Sequence, residues 1–168
     1  LEVYLIVEAA IQGDSPEVNL DNNIGVSANP TIVTDERVEG TDIAVSDFEV
    51  APESTYLDGT LHVSMTLRND GTVDAGSCFC GLYLADSPTV NTDLDPRLSN
   101  INISQLAAGA EQLIDRDITV PSLFDPGTYY IYVVCDPMGT LAEAYRSNNQ
   151  AVFETPIRIT DQADIDLY

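Results

Sequence analysis

The stretch Thr60–Arg68, TLHVSMTLR, alternates apolar and polar residues without a break. In an extended chain its apolar residues (61, 63, 65 and 67) fall on one side and its polar residues (62, 64, 66 and 68) on the other. This period of two is typical of an antiparallel strand with one buried and one solvated face. The Asp-Gly pair that follows, Asp70-Gly71, favours a tight turn. The stretch therefore predicts one strand of a layered all-β domain.

Similar runs lie on both sides of this strand, and turn residues separate them. They are Asp42–Val50, Ser77–Ala85, a short run near Ile101–Leu106, Gln112–Val120, Thr128–Cys135 and Ala151–Thr160. The segment between the second and third of these runs, residues 86–100, is polar and is interpreted as a loop. About seven short strands with frequent turns indicate an Ig-like antiparallel β-sandwich.

Part of this pattern occurs twice in the chain. Residues 4–35 align without a gap to residues 130–161, because Tyr4 matches Tyr130 and Asp35 matches Asp161, an offset of 126 residues. Ten of the 32 aligned positions are identical. A period of this length is too long for a solenoid and indicates a string of separate domains.

The repeat predicts one complete domain flanked by parts of two others. Residues 1–35 are the C-terminal strands of a preceding repeat, 36–41 a short linker, 42–160 the complete sandwich, and 161–168 the first strand of a following repeat. Two strands alone are marginally stable in water. We therefore expect adjoining sequence, or strand addition from a neighbouring chain, to complete the ends.

The composition of the chain limits the classes of function that it can have. Six Arg and no Lys stand against 28 acidic residues, a net charge of -22. A nucleic-acid partner is excluded because no basic stripe is available to neutralise phosphates. No run reaches the roughly 18 apolar residues that a membrane span needs.

The complete repeat carries several short motifs of one family. They are Asp42-Ile43-Ala44-Val45, the stretch 63–76 (VSMTLRNDGTVDAG), Leu106-Ala107-Ala108-Gly109, and an ending made of Pro126-Gly127-Thr128-Tyr129, Asp136-Pro137, Glu143 and Asn148-Asn149. Over residues 42–160 the chain resembles CARDB, the cell-adhesion-related domain found in bacteria and archaea. Arg146 departs from the family pattern, since a second acidic residue is common there. The resemblance implies tandem Ig-like modules of a surface or secreted protein, without catalytic activity.

Two groups of oxygen-bearing side chains are candidate Ca²⁺ ligands, because hard carboxylate and amide oxygens are what this ion prefers. One group lies in the polar loop: Asp86, Asn91, Asp93 and Asp95. The other lies at the C-terminal repeat junction and includes Asp161 and Asp164. In both groups a solvated acidic surface is the alternative.

Other candidates are structural. A bridge from Cys135 to either Cys78 or Cys80 is geometrically possible in an oxidising setting. Glu143, Asn148 and Asn149, which recur as Glu17, Asn22 and Asn23, are interpreted as fold determinants of the last hairpin, because such side chains stabilise turns. Asn102-Ile103-Ser104 is a glycosylation sequon.

These observations favour a structural segment of an extracellular tandem-repeat surface protein, such as a stalk, fibre or filament. Its partners would be neighbouring repeats, with self-association into filaments as a further option. The alternative is an adhesion or carbohydrate-binding or other ligand-binding module of a secreted protein. An enzyme is not expected, because His62 is the only histidine and no acid–base pair accompanies it in any catalytic motif.

Overall fold

The computed structural model describes residues 2–3, 6–8, 24–26, 31–32, 38–143 and 145–161. The chain divides into two compact units, residues 1–36 and 37–168. Every regular element in the described residues is a β-strand. None of the described residues forms a helix long and apolar enough to cross a membrane.

The described part of the first unit consists of two antiparallel strand pairs. Strand β1 (Glu2–Val3) pairs with β4 (Thr31–Ile32), and β2 (Ile6–Glu8) pairs with β3 (Ile24–Val26). In the second pair, residue 7 lies opposite residue 25.

The described part of the second unit contains eight strands in two sheets. They are β5 (Ile43–Ala51), β6 (Ser54–Tyr56), β7 (Thr60–Asn69), β8 (Cys78–Ala85), β9 (Arg97–Ile103), β10 (Glu111–Thr119), β11 (Gly127–Cys135) and β12 (Gln150–Thr160). One sheet has the order β10-β7-β5 and the other β6-β12-β11-β8-β9. All pairs are antiparallel except β6 with β12. The predicted all-β Ig-like sandwich is confirmed.

The core lies between the two sheets, and β7 shows how the sequence produces it. The four apolar residues of TLHVSMTLR are almost fully buried, while His62 and Arg68 are exposed on the outer face. From the opposite sheet, Leu82, Ile131 and Ile157 are fully buried in the same cluster. Burial of each such side chain contributes about 1.5–3 kcal/mol relative to exposure.

Strand β9 differs from its prediction. The pattern indicated a strand at 101–106 after a loop at 86–100, but β9 begins at Arg97 and ends at Ile103. It forms the edge of its sheet, with a register irregularity between its pairs to Leu82 and Tyr83. The bulge explains the error, because Leu98 and Ile101 are both buried although three positions separate them, which breaks the period of two ahead of residue 101.

The outer face of the five-stranded sheet carries a second apolar cluster. Tyr83 and Tyr132 stack there with ring centroids 5.0 Å apart, and both are buried. The hydroxyl of Tyr132 donates to Oδ2 of Asp95 at 3.0 Å and accepts from the backbone N–H of Asn91 at 3.3 Å. These bonds attach the 86–96 loop to the sheet.

The second unit's sandwich begins and ends at opposite poles. Ile43 pairs with Asn69 at one end of β5. At the other end, β12 finishes with Thr160 beside Tyr56, just past the end of β5. The two chain connections of the sandwich therefore lie about one strand length apart.

Candidate functional site

A buried aspartate, Asp136, fixes the conformation of the segment between β11 and β12. Asp136 follows the last residue of β11 and has a φ of 48°, a conformation that Asp tolerates better than most residues. Its Oδ1 accepts from the backbone N–H and the hydroxyl of Thr140, at 2.9 and 2.6 Å, and its Oδ2 accepts from the N–H of Leu141 at 2.9 Å. The carboxylate thus shapes the loop.

Arg146 completes this arrangement. One of its terminal nitrogens donates to Asp136 Oδ2 at 3.1 Å and to the carbonyl of Leu141 at 2.8 Å. Burial raises the pKa of Asp136, but the bonds from Thr140, Leu141 and Arg146 outweigh it and leave the pKa below its ordinary value. Gly139 has a φ of 68°, and a Cβ there would lie 3.4 Å from the guanidinium. Glycine therefore suits this position, because it adopts a positive φ without strain and leaves room for the Arg146 guanidinium.

Glu143 links this loop to the start of the sandwich. Its Oε1 accepts from the backbone N–H of Ile43 at 3.0 Å, and its Oε2 accepts from Nδ2 of Asn149 at 2.6 Å. The side chain is fully buried. Burial raises the pKa of Glu143, and the bonds from Asn149 and Ile43, with the nearby Arg146 charge, only partly oppose it.

The two asparagines extend the connection. Asn148 donates from Nδ2 to Oδ1 of Asp42 at 3.1 Å, and its carbonyl accepts from the N–H of Val45 at 2.9 Å. Asn149 also donates from Nδ2 to the carbonyl of Cys135. We call the interacting residues Asp42, Ile43, Glu143, Asn148 and Asn149 the polar clasp. The predicted hairpin residues therefore bond across the domain as well as within the hairpin.

Asn69 reinforces the same pole. It is fully buried, and its Oδ1 accepts from the N–H groups of Asp42 and Gly71 at 3.2 and 3.1 Å. Its Nδ2 donates to the carbonyls of Val73 and Leu106. The sequence indicated only a turn here, because a buried Asn with four backbone partners has the same local signature as a turn residue.

A pocket with a volume of about 340 Å³ adjoins the polar clasp. It lies between the 86–96 loop and the ends of β11 and β12, and its lining is mostly polar. The lining residues are Val90, Asn91, Thr92, Asp93, Val134, Cys135, Asp136, Pro137, Arg146, Asn149 and Gln150. Asn149 is buried, and its Oδ1 has no hydrogen-bond partner among the described residues; the same holds for Oδ1 of Asn148.

The pocket brings together two groups that the sequence analysis kept apart. Asn91 and Asp93 come from the candidate Ca²⁺ loop, and Asn149 comes from the hairpin motif. Asp86 and Asp95 do not line the pocket, and Asp95 is engaged by the Tyr132 hydroxyl. No group of three or more His, Cys, Asp or Glu side chains in the described residues is arranged to hold a metal ion. A Ca²⁺ site that also uses Asn91 or backbone oxygens of this loop remains a prediction.

Some candidates lie beyond what the structure describes. Asp161 is exposed, but Asp164 falls outside the described residues, as do Glu17, Asn22 and Asn23. The sequon residue Asn102 is exposed on edge strand β9. Glycosylation at Asn102 remains a prediction.

The structure chooses between the two possible cysteine pairings. Cys80 and Cys135 are direct partners in the β8–β11 register and form a disulfide within the core. Cys78 is a half-buried free thiol, and burial raises its pKa to about 11.

His62 lies on the outer face of the three-stranded sheet between two carboxylates. Its Nδ1 is 3.0 Å from Oδ1 of Asp117, and its Nε2 is 3.4 Å from Oδ1 of Asp115. The hydrogen bond with Asp117 raises the pKa of His62. Period-two alternation placed His62 on the wet face, but pairing with β10 was needed to find its partners.

Two packed sheets, a disulfide in the core and a polar clasp at one pole define a small Ig-like β-sandwich module. A family model for CARDB matches residues 40–153, more than half of the chain. The chain therefore belongs to the CARDB family.

Solved structures agree with this fold. The crystal structure of the CARDB domain of the PF1109 protein from Pyrococcus furiosus, in complex with di-metal ions, is 17% identical with a TM-score of 0.52, covering 73% of this chain and 96% of that one. The solution structure of the same domain is 19% identical with a TM-score of 0.52, covering 73% and 98%. A search of curated protein sequences finds no significant match.

Proposed function

We propose that this chain is a structural segment of an extracellular tandem-repeat surface protein, in which rigid modules are joined end to end. The observation that carries the proposal is the path of the chain through the sandwich. The chain enters beside Asn69 and leaves beside Tyr56, at opposite poles. A module connected in this way transmits position and tension along a string.

The polar clasp supports a load-bearing role. It holds the first residues of β5 to the segment before β12, so the start of the domain is attached to both sheets. Pulling on the N-terminal connection would have to break charge-assisted hydrogen bonds together with the β5–β7 ladder.

The first unit supports the tandem arrangement. Its pairs Val3↔Thr31 and Val7↔Gly25 correspond, at the 126-residue offset, to Tyr129↔Ile157 and Val133↔Ala151 in the second unit. The described strands of residues 1–35 therefore have the register expected for the last hairpin of a preceding repeat.

The extracellular location rests on the disulfide and the surface charge. Disulfides persist in oxidising compartments and are rare in the cytosol of most organisms. The net charge of -22 keeps long arrays soluble and mutually repelling. We propose no catalytic role, because the buried Asp136 of the pocket and its partner Arg146 are engaged in holding the loop.

Immunogold cryo-electron tomography of the source cells tests this function. Antibodies raised against residues 37–161 should label extended surface structures with an axial period of one or two domain lengths. Labelling inside the cells, or only on dispersed secreted particles, would contradict the structural role and favour a ligand-binding module.

A further inference from the structure

We propose that the pocket beside the polar clasp binds a neutral pyranose, either free or as the terminal residue of a glycan. This goes beyond the structural role, because it gives the module a ligand.

The size and lining of the pocket set the kind of ligand. Its volume of about 340 Å³ lies near the lower end of the range for ligand pockets, about 300–1,000 Å³, and suits one small molecule. Asn91, Thr92 and Gln150 are exposed at its rim and offer both donors and acceptors. Val90 and Val134 supply apolar surface for the C–H face of a ring.

Charge argues against an ionic ligand. The only cation in the lining, Arg146, is already paired with the buried Asp136. An anion would therefore find no free positive charge and would face a molecule with a net charge of -22. For a metal ion, the described residues offer no group of three or more His, Cys, Asp or Glu side chains here. An organic cation would be attracted by Asp93 and by the net charge but would meet the guanidinium of Arg146 in the same pocket, so glucosamine is part of the test.

Asn149 is an independent reason to expect a hydrogen-bonding occupant. The amide is fixed by two donations, to Cys135 and to Glu143, which leave its Oδ1 as an acceptor without a partner. Buried acceptors without partners are uncommon in folded proteins and are usually satisfied by a ligand or ordered water. This oxygen has almost no accessible surface, so a sugar hydroxyl would reach it after a small shift of the pocket lining. A hydroxyl suits the position because it can donate to the unpaired acceptor.

Three ligands with the same ring and different charge test the proposal on the ¹⁵N-labelled full chain. Glucose, glucuronate and glucosamine are titrated at physiological salt, with galactose, mannose and N-acetylglucosamine as further neutral probes. We expect saturable amide shifts at residues 90–93, 134–136 and 149–150 with at least one neutral sugar. That sugar should bind at least tenfold more tightly than glucuronate.

Two variants complete the test. Gln150→Ala removes a rim side chain and should weaken binding severalfold, whereas Gln112→Ala, exposed on β10 in the other sheet, should leave it unchanged. Absence of saturable shifts with every neutral sugar would overturn the proposal. Tighter binding of glucuronate or glucosamine than of all neutral probes, or shifts confined to other residues, would overturn it as well.

Discussion

The carboxylate of Glu143 accepts a hydrogen bond from the backbone N–H of Ile43 at 3.0 Å, although 100 residues separate them in sequence. The same carboxylate accepts from Asn149. One buried carboxylate therefore accepts hydrogen bonds from a strand N–H of the three-stranded sheet and from the Asn149 amide, which directly precedes β12 of the other sheet. A glutamate in a loop thus connects the first strand of the sandwich to the segment that precedes the last one.

Replacing Glu143 should destabilise the domain in a graded way. Glu143→Ala leaves the Ile43 N–H and the Asn149 amide without their acceptor, so we expect a loss of about 2–5 kcal/mol in the free energy of unfolding. Glu143→Gln keeps one acceptor but turns a donor toward Asn149, and should cost less than Ala. Urea unfolding measures both variants, with the exposed Glu154→Ala as the control. Equal stability of Glu143→Ala and Glu154→Ala would rule out the polar clasp.

Asp136 should make stability depend on pH at the acidic end. Its pKa is lowered in the folded state, so its contribution is present above the unfolded value of about 3.9 and is lost as pH falls through the lower folded value. We expect Asp136→Asn to lower the free energy of unfolding by about 2–3 kcal/mol at neutral pH. This is less than the loss expected on breaking a fully buried ion pair, because Arg146 is 44% exposed. This cost should shrink as pH falls below about 4. Urea unfolding at several pH values measures this loss of stability, with the exposed Asp125→Asn as the charge control. A loss that does not change with pH would show that the charge of Asp136 is not what stabilises the loop.

The sequence predicted the fold because the strands follow local physics. Alternation in β7 sets its buried face, and a bridge from Cys135 to Cys78 or Cys80 was already a candidate from the sequence. Recurrence of the Glu and Asn residues at the 126-residue offset indicated that they matter to each repeat. These signals lie within single strands or in self-similarity, so no knowledge of strand pairing was needed.

The partners of the site residues depend on tertiary pairing, which the sequence alone does not specify. Asp95 was a candidate Ca²⁺ ligand in a loop, and the structure adds a partner that the sequence did not indicate: its carboxylate accepts a hydrogen bond from Tyr132 on β11. Asn69 stands in a sequence typical of a turn, but its buried side chain forms hydrogen bonds with four backbone groups. The pocket joins two loops that are more than 40 residues apart, so periodicity could not reveal it.

His62 should titrate above its ordinary pKa of about 6.5. The hydrogen bond with Asp117 is the main cause, and the more distant Asp115 adds a Coulombic contribution. Because the folded pKa is raised, any stabilisation from this contact is present below about 6.5 and is lost as pH rises through the folded value. NMR titration of the imidazole should give a midpoint that falls more with Asp117→Asn than with Asp115→Asn. The reverse order would show that the 3.0 Å contact is not the dominant one.

The disulfide should contribute substantially to stability. Cys80 and Cys135 are 55 residues apart, and closing a loop of this length stabilises a domain by about 2–4 kcal/mol. Cys80→Ala/Cys135→Ala should therefore lower the free energy of unfolding by about this amount, whereas Cys78→Ala should have a smaller effect. Peptide mapping without reduction should link the peptides that contain Cys80 and Cys135. A Cys78–Cys135 linkage would contradict the pairing.

Cys78 should react slowly with alkylating agents in the folded protein, because only the thiolate is nucleophilic. Burial raises its pKa to about 11, so at pH 8 its thiolate fraction is roughly two orders of magnitude below that of an ordinary cysteine with a pKa of about 8.5. Iodoacetamide labelling followed by mass spectrometry should therefore be slow at pH 8 and accelerate toward pH 11. The unfolded, unreduced chain in urea is the matched control, since its Cys78 is solvated while the disulfide stays closed. Equal rates in the folded and unfolded chains would mean that β8 does not shield this thiol.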